Sequence, residues 1–436
     1  MSLRILLVSD HYPPYIGGAH RQTQLLGQEL HRRGHVVSVV TVWQPGQPSE
    51  YDDNGVRVYR LRELRTVFPW LIKDLKQRHH PPYPDPITVW RLRRLITEFK
   101  PDVIHAYGWM SYSCAAALIG KQIPLLISSR DYAYGCATRT LVFRKKQLCS
   151  GPQPIKCLIC AADYYGKPRG WAVAIGTFAF GPLLRRKVQG VHSISSYVQQ
   201  MVRRDFIPLH TNDLSVAPVT EAIIPSFRED DNRQDLGDRV DVQPYLQQLP
   251  QEPFILFVGA LRLVKGLQQL LEAYQRLDSP PRLVLIGTVE NDTPRTLPAN
   301  VLILQDFPHP AVMAAWERCL FGVVPSLWPE PLGSVVYEGM SKGKAMIGTK
   351  PGGHTDMIID GETGFLVPLG SVDELAQAMR TLISNPALCE RFGRSALESA
   401  RQFTASNAIP QFERLYHQLL SKTRKKVKAN NSVSLS

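Results

Sequence analysis

The stretch FGVVPSLWPEPLGSVVYEGMSKG, residues 321–343, joins a short apolar run to an amphipathic run through a proline-containing loop. FGVVPS is typical of a buried parallel strand, and SVVYEGMSKG has helical spacing and ends at Gly343. Two acids, Glu330 and Glu338, flank the turn Pro331–Ser334 between them. A strand, a turn and a helix in this order form the repeating unit of a doubly wound α/β sheet.

The same alternation of strand and helix runs along most of the chain. Apolar runs typical of buried strands recur as LRILLVS, HVVSVVTV, DVIHAY, PLLISS, GVHSIS, FILFVG, RLVLIG and VLILQ. The polar interval 226–250 lacks apolar periodicity and separates two groups of such units. We therefore predict an α/β protein with two Rossmann-like, doubly wound parallel sheets.

The predicted organisation along the chain has five parts. They are an N-terminal domain at 1–225, a linker at 226–250, a C-terminal domain at 251–400, a helix at 401–420 that packs back on the N-terminal domain, and a basic disordered tail at 421–436. Ligands of open α/β sheets bind outside the carboxyl ends of the strands. We therefore expect the ligand site in a cleft between two facing sheets.

Composition and charge restrict the class of protein and its partners. Hydrophobic residues make up 44% of the 436 residues, which fits a globular protein, and no apolar run reaches the roughly 18 residues of a membrane helix. The N-terminal apolar run ILLV is shorter than the roughly 7–15 residues of a signal peptide's apolar region, so we expect a cytoplasmic protein.

The positive charge is concentrated in the first half of the chain. Residues 1–210 carry 29 Lys and Arg against 13 Asp and Glu, a balance of +16, whereas residues 211–436 carry 22 against 25. This asymmetry indicates an anionic partner for the first half, such as membrane phosphates at the inner face of a membrane, an anionic substrate or a nucleic acid.

Two loops have the features of a phosphate site. Lys265 and Gly266 stand where the loop ALRLVKG meets an amphipathic helix, so a cation and backbone N–H groups can meet a phosphate there; an ordinary solvated lysine is the alternative. Gly333–Ser334 present amide groups at the positive end of a helix dipole. Because Glu330 and Glu338 would repel a diphosphate, we assign them to sugar hydroxyls, which carboxylates bind well. The combination predicts a nucleotide-sugar site.

These motifs resemble one known family. EPLGSVVYE, an E-x7-E motif, follows VGALRLVKG and precedes PGGHTDMIIDGETGFLVP, and the first half carries YPPYIGGAHRQTQLLGQELHRRGHVVSVVT and KPDVIHAYGWMS. In this order the motifs are similar to those of the retaining glycosyltransferases of family four, which have the GT-B fold. The resemblance covers nearly the whole chain. It implies transfer of a hexose-type sugar from a nucleotide-diphosphate sugar, with retention of configuration and without a required metal or covalent cofactor.

The resemblance also implies roles for individual residues. Glu330 would contact the hexose hydroxyls of the donor, and Glu338 its ribose. The residues assigned to the diphosphate are Lys265, Leu332, Gly333 and Ser334. Gly17 and Gly18 would lie close to donor phosphate or acceptor, where a side chain would clash. The donor would bind mainly to the second domain, and a lipid-linked or polysaccharide acceptor of the cell envelope would bind to the first.

Two positions depart from the family pattern. Ala260 stands where the family usually has arginine, with Arg262 two residues later, and Arg130 stands where the family tends to have histidine. Our hypothesis is that Arg130 or Arg262 restores the missing positive charge, or that Arg130 selects an acidic donor sugar by bidentate pairing. A surface arginine without a ligand is the alternative. His105 completes the candidate catalytic set of Glu330, Lys265 and Arg130, and a hydrogen-bonded core histidine is its alternative.

Four of the seven cysteines cluster in an insertion at about 136–160. They are Cys136, Cys149, Cys157 and Cys160. The closing C-x-x-C resembles half of a tetrahedral zinc site, whereas the other pair has no standard spacing. We predict a structural zinc that braces the acceptor loop without taking part in catalysis; buried thiols or a redox pair are the alternatives. Cys114, Cys319 and Cys389 are expected in the core.

The segment 164–187 is aromatic and apolar with basic flanks. It is typical of a helix that lies on an anionic leaflet, and equally of a packed helix with solvated basic ends. Three rival functions stay open, namely a GT-B sugar-nucleotide epimerase, a catalytically inactive nucleotide-sugar binding protein and a nucleic-acid binding protein. Nucleic acid is disfavoured because the aromatic residues of the first half are not arranged as stacking platforms.

Overall fold

A computed structural model describes residues 2–14, 18–67, 80–144, 147–207, 219–230 and 241–433. The chain divides into two compact units. The first consists of Met1–Arg228 with Ala405–Ser436, and the second of Glu229–Thr404. Each unit is an α/β layer structure around its own parallel sheet, so the predicted fold class is confirmed.

The sheet of the first unit has eight strands in the described residues, in the order β10-β9-β6-β5-β1-β2-β4-β3. The strands are β1 Arg4–Ser9, β2 Val36–Val42, β3 Glu50–Asp53, β4 Val56–Leu61, β5 Val103–Tyr107, β6 Leu125–Ser129, β9 Val188–Ser193 and β10 Thr220–Ile223; a separate hairpin pairs β7 Val142–Phe143 with β8 Gln147–Leu148. All pairs of the large sheet are parallel except β3–β4, which closes one edge as an antiparallel pair.

The central strands of this sheet are buried along nearly all of their length, as expected where helices pack on a parallel sheet. The helices of the first unit are α1 Gly18–Arg32, α2 Leu64–Val67, α3 Pro86–Phe99, α4 Met110–Ala117, α5 Pro154–Tyr165, α6 Lys167–Lys187, α7 Ser196–Asp205 and α14 Ala405–Val433. Local sequence sets some of these boundaries. Helix α3 begins where Asp85 accepts a hydrogen bond from Thr88 N at 2.8 Å and Pro86 occupies the first turn.

The second unit has a six-stranded parallel sheet in the order β13-β12-β11-β14-β15-β16. Its strands are β11 Ile255–Val258, β12 Leu283–Ile286, β13 Val301–Leu304, β14 Phe321–Val324, β15 Ala345–Lys350 and β16 Gly364–Pro368, and its helices are α8 Gln243–Leu246, α9 Leu267–Gln275, α10 His309–Arg318, α11 Ser334–Ser341, α12 Val372–Ser384 and α13 Pro386–Ala400. The stretch 321–343 forms β14, a loop and α11, so its strand–turn–helix prediction is confirmed.

The interval predicted as a linker is only partly described, because residues 231–240 lie outside the described residues. Its last part belongs to the second unit. Arg318 of α10 donates to the carbonyl oxygens of Leu246 at 3.0 Å and Pro250 at 2.8 Å. Helix α8 is thereby attached to α10 before the first strand of the second sheet begins.

Helix α14 brings the C-terminal part of the chain back into the core of the first unit. Its buried side chains follow helical spacing and pack with residues of β1, β2 and α1; they are Ala408, Ile409, Phe412, Leu415, Tyr416 and Leu419. The prediction of a disordered tail after Ser421 is wrong, because α14 continues to Val433. The basic segment contains no glycine or proline to end the helix, and Lys422 is anchored by donating to Thr220 Oγ1 at 2.8 Å.

None of the helices in the described residues is long and apolar enough to cross a bilayer.

The packing of α14 predicts a large stability effect from one buried ring. Phe412 is 1% exposed and lies in the core of the first unit. We expect Phe412→Ala to lower the free energy of unfolding by about 3–5 kcal/mol, because it removes buried apolar surface and leaves a cavity. Urea denaturation measures this loss.

The matched control is Gln418→Ala, on the exposed side of the same helix. We expect it to change the free energy of unfolding by less than about 0.5 kcal/mol. Equal effects of the two substitutions would show that α14 does not contribute to the core.

Candidate active site

The site begins with a close approach of two backbone segments in the second unit. Lys265 ends a 3-10 turn just before α9, and Gly266 follows it with φ +76°. A Cβ atom at Gly266 would lie 1.8 Å from the carbonyl oxygen of Pro325, and Leu327 N donates to Val264 O at 2.9 Å. Only glycine permits this contact, which places the lysine turn directly against the loop that follows β14.

Glu330, in this loop, is the centre of a buried polar cluster. Its side chain is 6% exposed, and Oε1 pairs with the ammonium group of Lys265. The same oxygen accepts hydrogen bonds from Ser326 Oγ at 2.8 Å and Trp328 Nε1 at 2.8 Å. Lys265 Nζ also lies 5.5 Å from the centroid of the Trp328 ring, within range of a cation–π interaction. The cluster holds the carboxylate in a single position.

The electrostatics of this cluster keep Glu330 ionised. Burial by itself raises the pKa of a carboxyl group, but the positive charge of Lys265, the proximity of His354 and the hydrogen bonds from Lys265 and Ser326 outweigh it. The pKa of Glu330 therefore lies below its usual value. At neutral pH the site presents a fixed carboxylate, which can accept hydrogen bonds from hydroxyl groups.

Two further glycines, Gly333 and Gly353, shape the backbone at the N-terminal end of α11. Gly333 caps the helix with φ +85°, and a Cβ atom there would lie 2.8 Å from Nε2 of His354. A Cβ atom at Gly353 would lie 2.1 Å from the carbonyl oxygen of Pro331, and Gly353 N donates to Glu330 O at 2.6 Å. The loop PGGH therefore packs against the start of α11, where the first N–H groups of a helix have no acceptor within it.

His354 is a residue of this site that sequence reasoning missed. Its ring is fully buried, and Nδ1 accepts a hydrogen bond from Thr349 N at 3.2 Å. Burial and the charge of Lys265 outweigh the effect of Glu330 and lower the pKa of His354 to about 4, so the ring is neutral. Within the described residues Nε2 has no hydrogen-bond partner. The two glycines directly before His354 were the available signal in the sequence, because glycine allows two backbone segments to approach closely.

The remaining predicted donor residues lie in the same unit. Ser334 is the first residue of α11, and Leu332 is buried beside it. Glu338 lies one turn into α11 and pairs with His309, with Oε1 3.6 Å from Nε2. Arg262 points to Asp292, with Nε 3.6 Å from Oδ1. The donor residues predicted in the second unit are thus gathered at the carboxyl ends of β11 and β14, while Arg262 already has an acidic partner.

The first unit holds the other predicted residues. Gly17 lies outside the described residues, and Gly18 is the first residue of α1. Arg130 follows β6 and is half-buried, with its guanidinium carbon 4.9 Å from the centroid of the Tyr107 ring. Stacking on this ring fixes the position of its charge at the carboxyl edge of the first sheet.

The prediction of His105 as a catalytic residue is wrong, because the side chain is fully buried and satisfied by the protein. Nδ1 lies 2.9 Å from Tyr416 Oη, and Nε2 lies 2.6 Å from Ser128 Oγ. Burial, with smaller contributions from His192 and the positive charge of Arg130, lowers the pKa of His105 well below the ordinary value. The alternative of a core histidine is the one that the structure supports.

Sequence reasoning also missed an acidic centre at the carboxyl edge of the first sheet. Asp10 follows β1, is buried, and accepts hydrogen bonds from Trp109 N at 3.1 Å and Met110 N at 2.8 Å. Burial raises its pKa above the usual value despite the nearby Arg139. Arg139 also donates from Nε to Asp131 Oδ2 at 2.8 Å. An acid directly after the apolar run ILLVS was the available signal.

The four clustered cysteines line one cavity between the β7–β8 hairpin and α5. All four are free thiols, and burial raises the pKa of Cys157 and Cys160. Among the described residues, however, no group of three or more His, Cys, Asp or Glu side chains is arranged to hold a metal ion. The structural zinc therefore stays a prediction that requires the thiols to move closer together.

The close approach at Gly266 generates a prediction with a matched control. Gly266→Ala would place a methyl group against Pro325 O, so it should displace the lysine turn. Gly361 has a similar φ of +79°, but a Cβ atom there would have no neighbouring atom within 4 Å. Gly361→Ala should therefore cost only the left-handed strain of about 1–2 kcal/mol.

We expect Gly266→Ala to lower the free energy of unfolding in urea by clearly more than Gly361→Ala does. Equal losses for the two variants would show that the contact with Pro325 does not constrain the loop.

Metal analysis of the purified protein tests the zinc prediction. We expect about one zinc per chain, lost in Cys157→Ser and retained in Cys389→Ser, because Cys389 lies outside the cluster. Protein that is produced with ample zinc and still contains none would refute the prediction and favour the alternative of buried thiols.

Comparison with known proteins agrees with this arrangement. Residues 245–399 match the family Glycosyl transferases group 1, and residues 17–212 match the Glycosyl transferase 4-like domain. D-rhamnosyltransferase WbpZ of Pseudomonas aeruginosa is 37% identical over 159 residues, which are 35% of this chain and 42% of WbpZ. Glycogen synthase of Mycobacterium tuberculosis is 24% identical over 431 residues, covering 90% of this chain and 89% of that protein. The matched part spans less than half the length of several curated relatives, WbpZ among them.

Solved structures share the fold. Sucrose-phosphate synthase from Thermosynechococcus elongatus superposes with a TM-score of 0.70 at 20% identity, covering 96% of this chain and 99% of that one. HepE of Anabaena in complex with UDP-glucose gives 0.60 at 16% identity, covering 96% and 99%. These likenesses confirm the predicted GT-B fold. The two matches stand in order along the chain, a Glycosyl transferase 4-like domain followed by a Glycosyl transferases group 1 domain, so the protein is similar in both domains to glycosyltransferases of the family-four type.

Proposed function

We propose that this protein transfers a hexose-type sugar from a nucleotide-diphosphate sugar to a lipid-linked or polysaccharide acceptor, with retention of anomeric configuration. The observation that carries the proposal is the ion pair between the buried Glu330 and the partly exposed Lys265, beside the glycine-capped start of α11. This arrangement would combine an anion site with a hydroxyl-binding carboxylate on two adjacent loops of the second unit.

Lys265 and the start of α11 supply the chemistry that a diphosphate leaving group needs. Negative charge grows on the diphosphate as the glycosidic bond breaks, and a fixed ammonium group with helix amides stabilises that charge. Lys265 is 32% exposed at its side chain, so it can contact a ligand while remaining paired with Glu330. Trp328 and Ser326 hold the carboxylate, so little reorganisation is required when the donor binds.

Glu330 would orient the hexose through its hydroxyl groups, because it is buried, ionised and fixed. Glu338, which lies one turn into α11, would contact the ribose of the donor. His354 acts as a positioning residue, since its ring packs against Gly333 and fixes the backbone at the helix start. HepE was solved with UDP-glucose, which supports a nucleotide sugar as the class of donor.

Retention follows from the resemblance to family four. The attack would occur on the face from which the diphosphate departs, with the departing phosphate accepting the proton of the acceptor hydroxyl. The bond from the anomeric carbon to phosphate oxygen breaks as the bond to the acceptor oxygen forms. Lys265 and the helix amides remain bound to the diphosphate throughout this step.

The first unit would bind the acceptor and adjust the charge at the donor. Arg130 is held on the Tyr107 ring at the carboxyl edge of its sheet, which fixes the position of its guanidinium group. Either Arg130 or Arg262, whose Nε lies 3.6 Å from Asp292 Oδ1, would restore the charge lost at Ala260. The basic balance of residues 1–210 suits a phosphate-linked or otherwise anionic acceptor.

The test combines a nucleotide panel with two substitutions. Nucleoside diphosphates are ranked by their effect on the melting temperature, and the matching nucleotide sugars are then assayed for release of the nucleotide. Glu330→Gln keeps the shape of the side chain but removes its charge, and we expect it to lower kcat/KM by about 100-fold or more. Lys265→Ala should weaken binding of the nucleoside diphosphate by about 10–100-fold, because it removes a charge-assisted contact.

Lys342→Ala is the matched control, since Lys342 also pairs with a glutamate but lies at the end of α11. It should leave both quantities unchanged. Turnover that survives Glu330→Gln would refute the role of the carboxylate. Binding without turnover across the panel would support the inactive binding protein, and conversion of the donor to an epimer without transfer would support the epimerase.

A further inference from the structure

Helices α5 and α6 form a hairpin on the first unit, joined by Gly166 with φ +84°. Their backbones are in close contact, because a Cβ atom at Gly170 would lie 2.2 Å from the carbonyl oxygen of Ala161. The side of α6 that faces the protein carries Val173, Ala174 and Leu184, all buried. The inner face of the hairpin is therefore fully used by packing.

The outer face of α6 is also apolar. Trp171, Ile175 and Phe178 follow i, i+4, i+7 spacing, which aligns them along one side of the helix. Their exposed fractions are 47%, 58% and 37%. Ile155 and Ile159 form a similar exposed i, i+4 pair on α5. An ordinary surface helix places polar residues on this side, so the apolar stripe indicates a partner.

Basic residues stand at both ends of this stripe. Within residues 154–187 they are Lys156, Lys167, Arg169, Arg185, Arg186 and Lys187. The one acid of the same segment, Asp163, is paired with Arg144 of the β7–β8 hairpin, with Oδ2 2.7 Å from Nε. Helix α6 therefore combines an exposed aromatic and aliphatic stripe with an exposed basic residue near each end, Lys167 and Arg186.

We propose that the exposed stripe of α6, with its basic ends, docks the first unit on the surface of an anionic lipid bilayer. Aromatic and aliphatic side chains enter the interface between head groups and acyl chains, and Lys and Arg at the helix ends bind the anionic head groups. The basic residues favour an anionic lipid surface over a protein partner, because an apolar stripe in a protein–protein contact does not require basic residues at both ends. The inference does not depend on the proposed transfer reaction.

Vesicle sedimentation with the full chain tests the docking surface. Vesicles of phosphatidylcholine with phosphatidylglycerol are compared with vesicles of phosphatidylcholine alone, at low and high salt. We expect binding to the anionic vesicles, weakened by salt because the head-group contacts are screened. The double variant Trp171→Ser with Ile175→Ser should lower the vesicle affinity by about tenfold or more.

The matched control is Trp90→Ser with Ile119→Ser, two side chains of the first unit that are 62% and 52% exposed and lie outside the hairpin. It should bind vesicles like the unaltered chain. A second variant, Lys167→Gln with Arg186→Gln, should reduce the salt dependence of binding, since it removes charge without touching the stripe.

Three outcomes would overturn the proposal. The first is that the stripe variant and its control bind the vesicles equally. The second is that the chain fails to bind and forms a dimer that the stripe variant abolishes, which would assign the face to a second copy. The third is a monomer that does not bind. Nucleotide-sugar turnover with a soluble acceptor is measured in parallel, and its retention in the stripe variant separates a failed docking surface from a failed transfer reaction.

Discussion

The candidate site of the second unit depends on one ion pair, that between the partly exposed Lys265 and the buried Glu330. Removing Lys265 would be costly, because the buried carboxylate of Glu330 would lose its charged partner. The loss is about 3–5 kcal/mol for a fully buried pair, and the exposure of Lys265 lowers it. The pair therefore does more than bind a ligand. It joins the turn before α9 to the loop after β14 and holds both at the carboxyl end of the sheet.

The backbone had to be shaped before this pair could form. Gly266 allows the lysine turn to touch Pro325, and Gly353 allows the PGGH loop to touch Pro331. Glycine is needed at both positions because it has no side chain. Two backbone segments can therefore approach more closely there than they could with any other residue. The carboxylate of Glu330 then accepts hydrogen bonds from Ser326 and Trp328, which compensate for its burial.

In the core of the first unit, buried polar residues form hydrogen bonds with one another and stabilise the fold. His105, Ser128 and His192 form a chain of hydrogen bonds in the core, with His105 also bonded to Tyr416 of α14 and His192 to the carbonyl oxygen of Ile224. Burial lowers the pKa of His192 to about 3, so these rings are neutral structural groups at physiological pH. The network attaches the C-terminal helix to the central strands of the first sheet.

The sequence by itself determined the alternation of strand and helix, the strand–turn–helix context of Glu330, and the position of Lys265 at a loop-to-helix junction. These are local properties, because apolar periodicity, proline and glycine act over a few residues. Tertiary structure decided the rest. It brings Lys265 and Glu330, 65 residues apart, into one hydrogen bond, and it pairs His105 with Tyr416, 311 residues away. It also shows that α14 continues where a disordered tail was predicted. The physical reason is that the local sequence around a polar side chain is the same whether its hydrogen-bond partner is a substrate or another part of the protein. Only the packing of distant segments supplies or removes that partner.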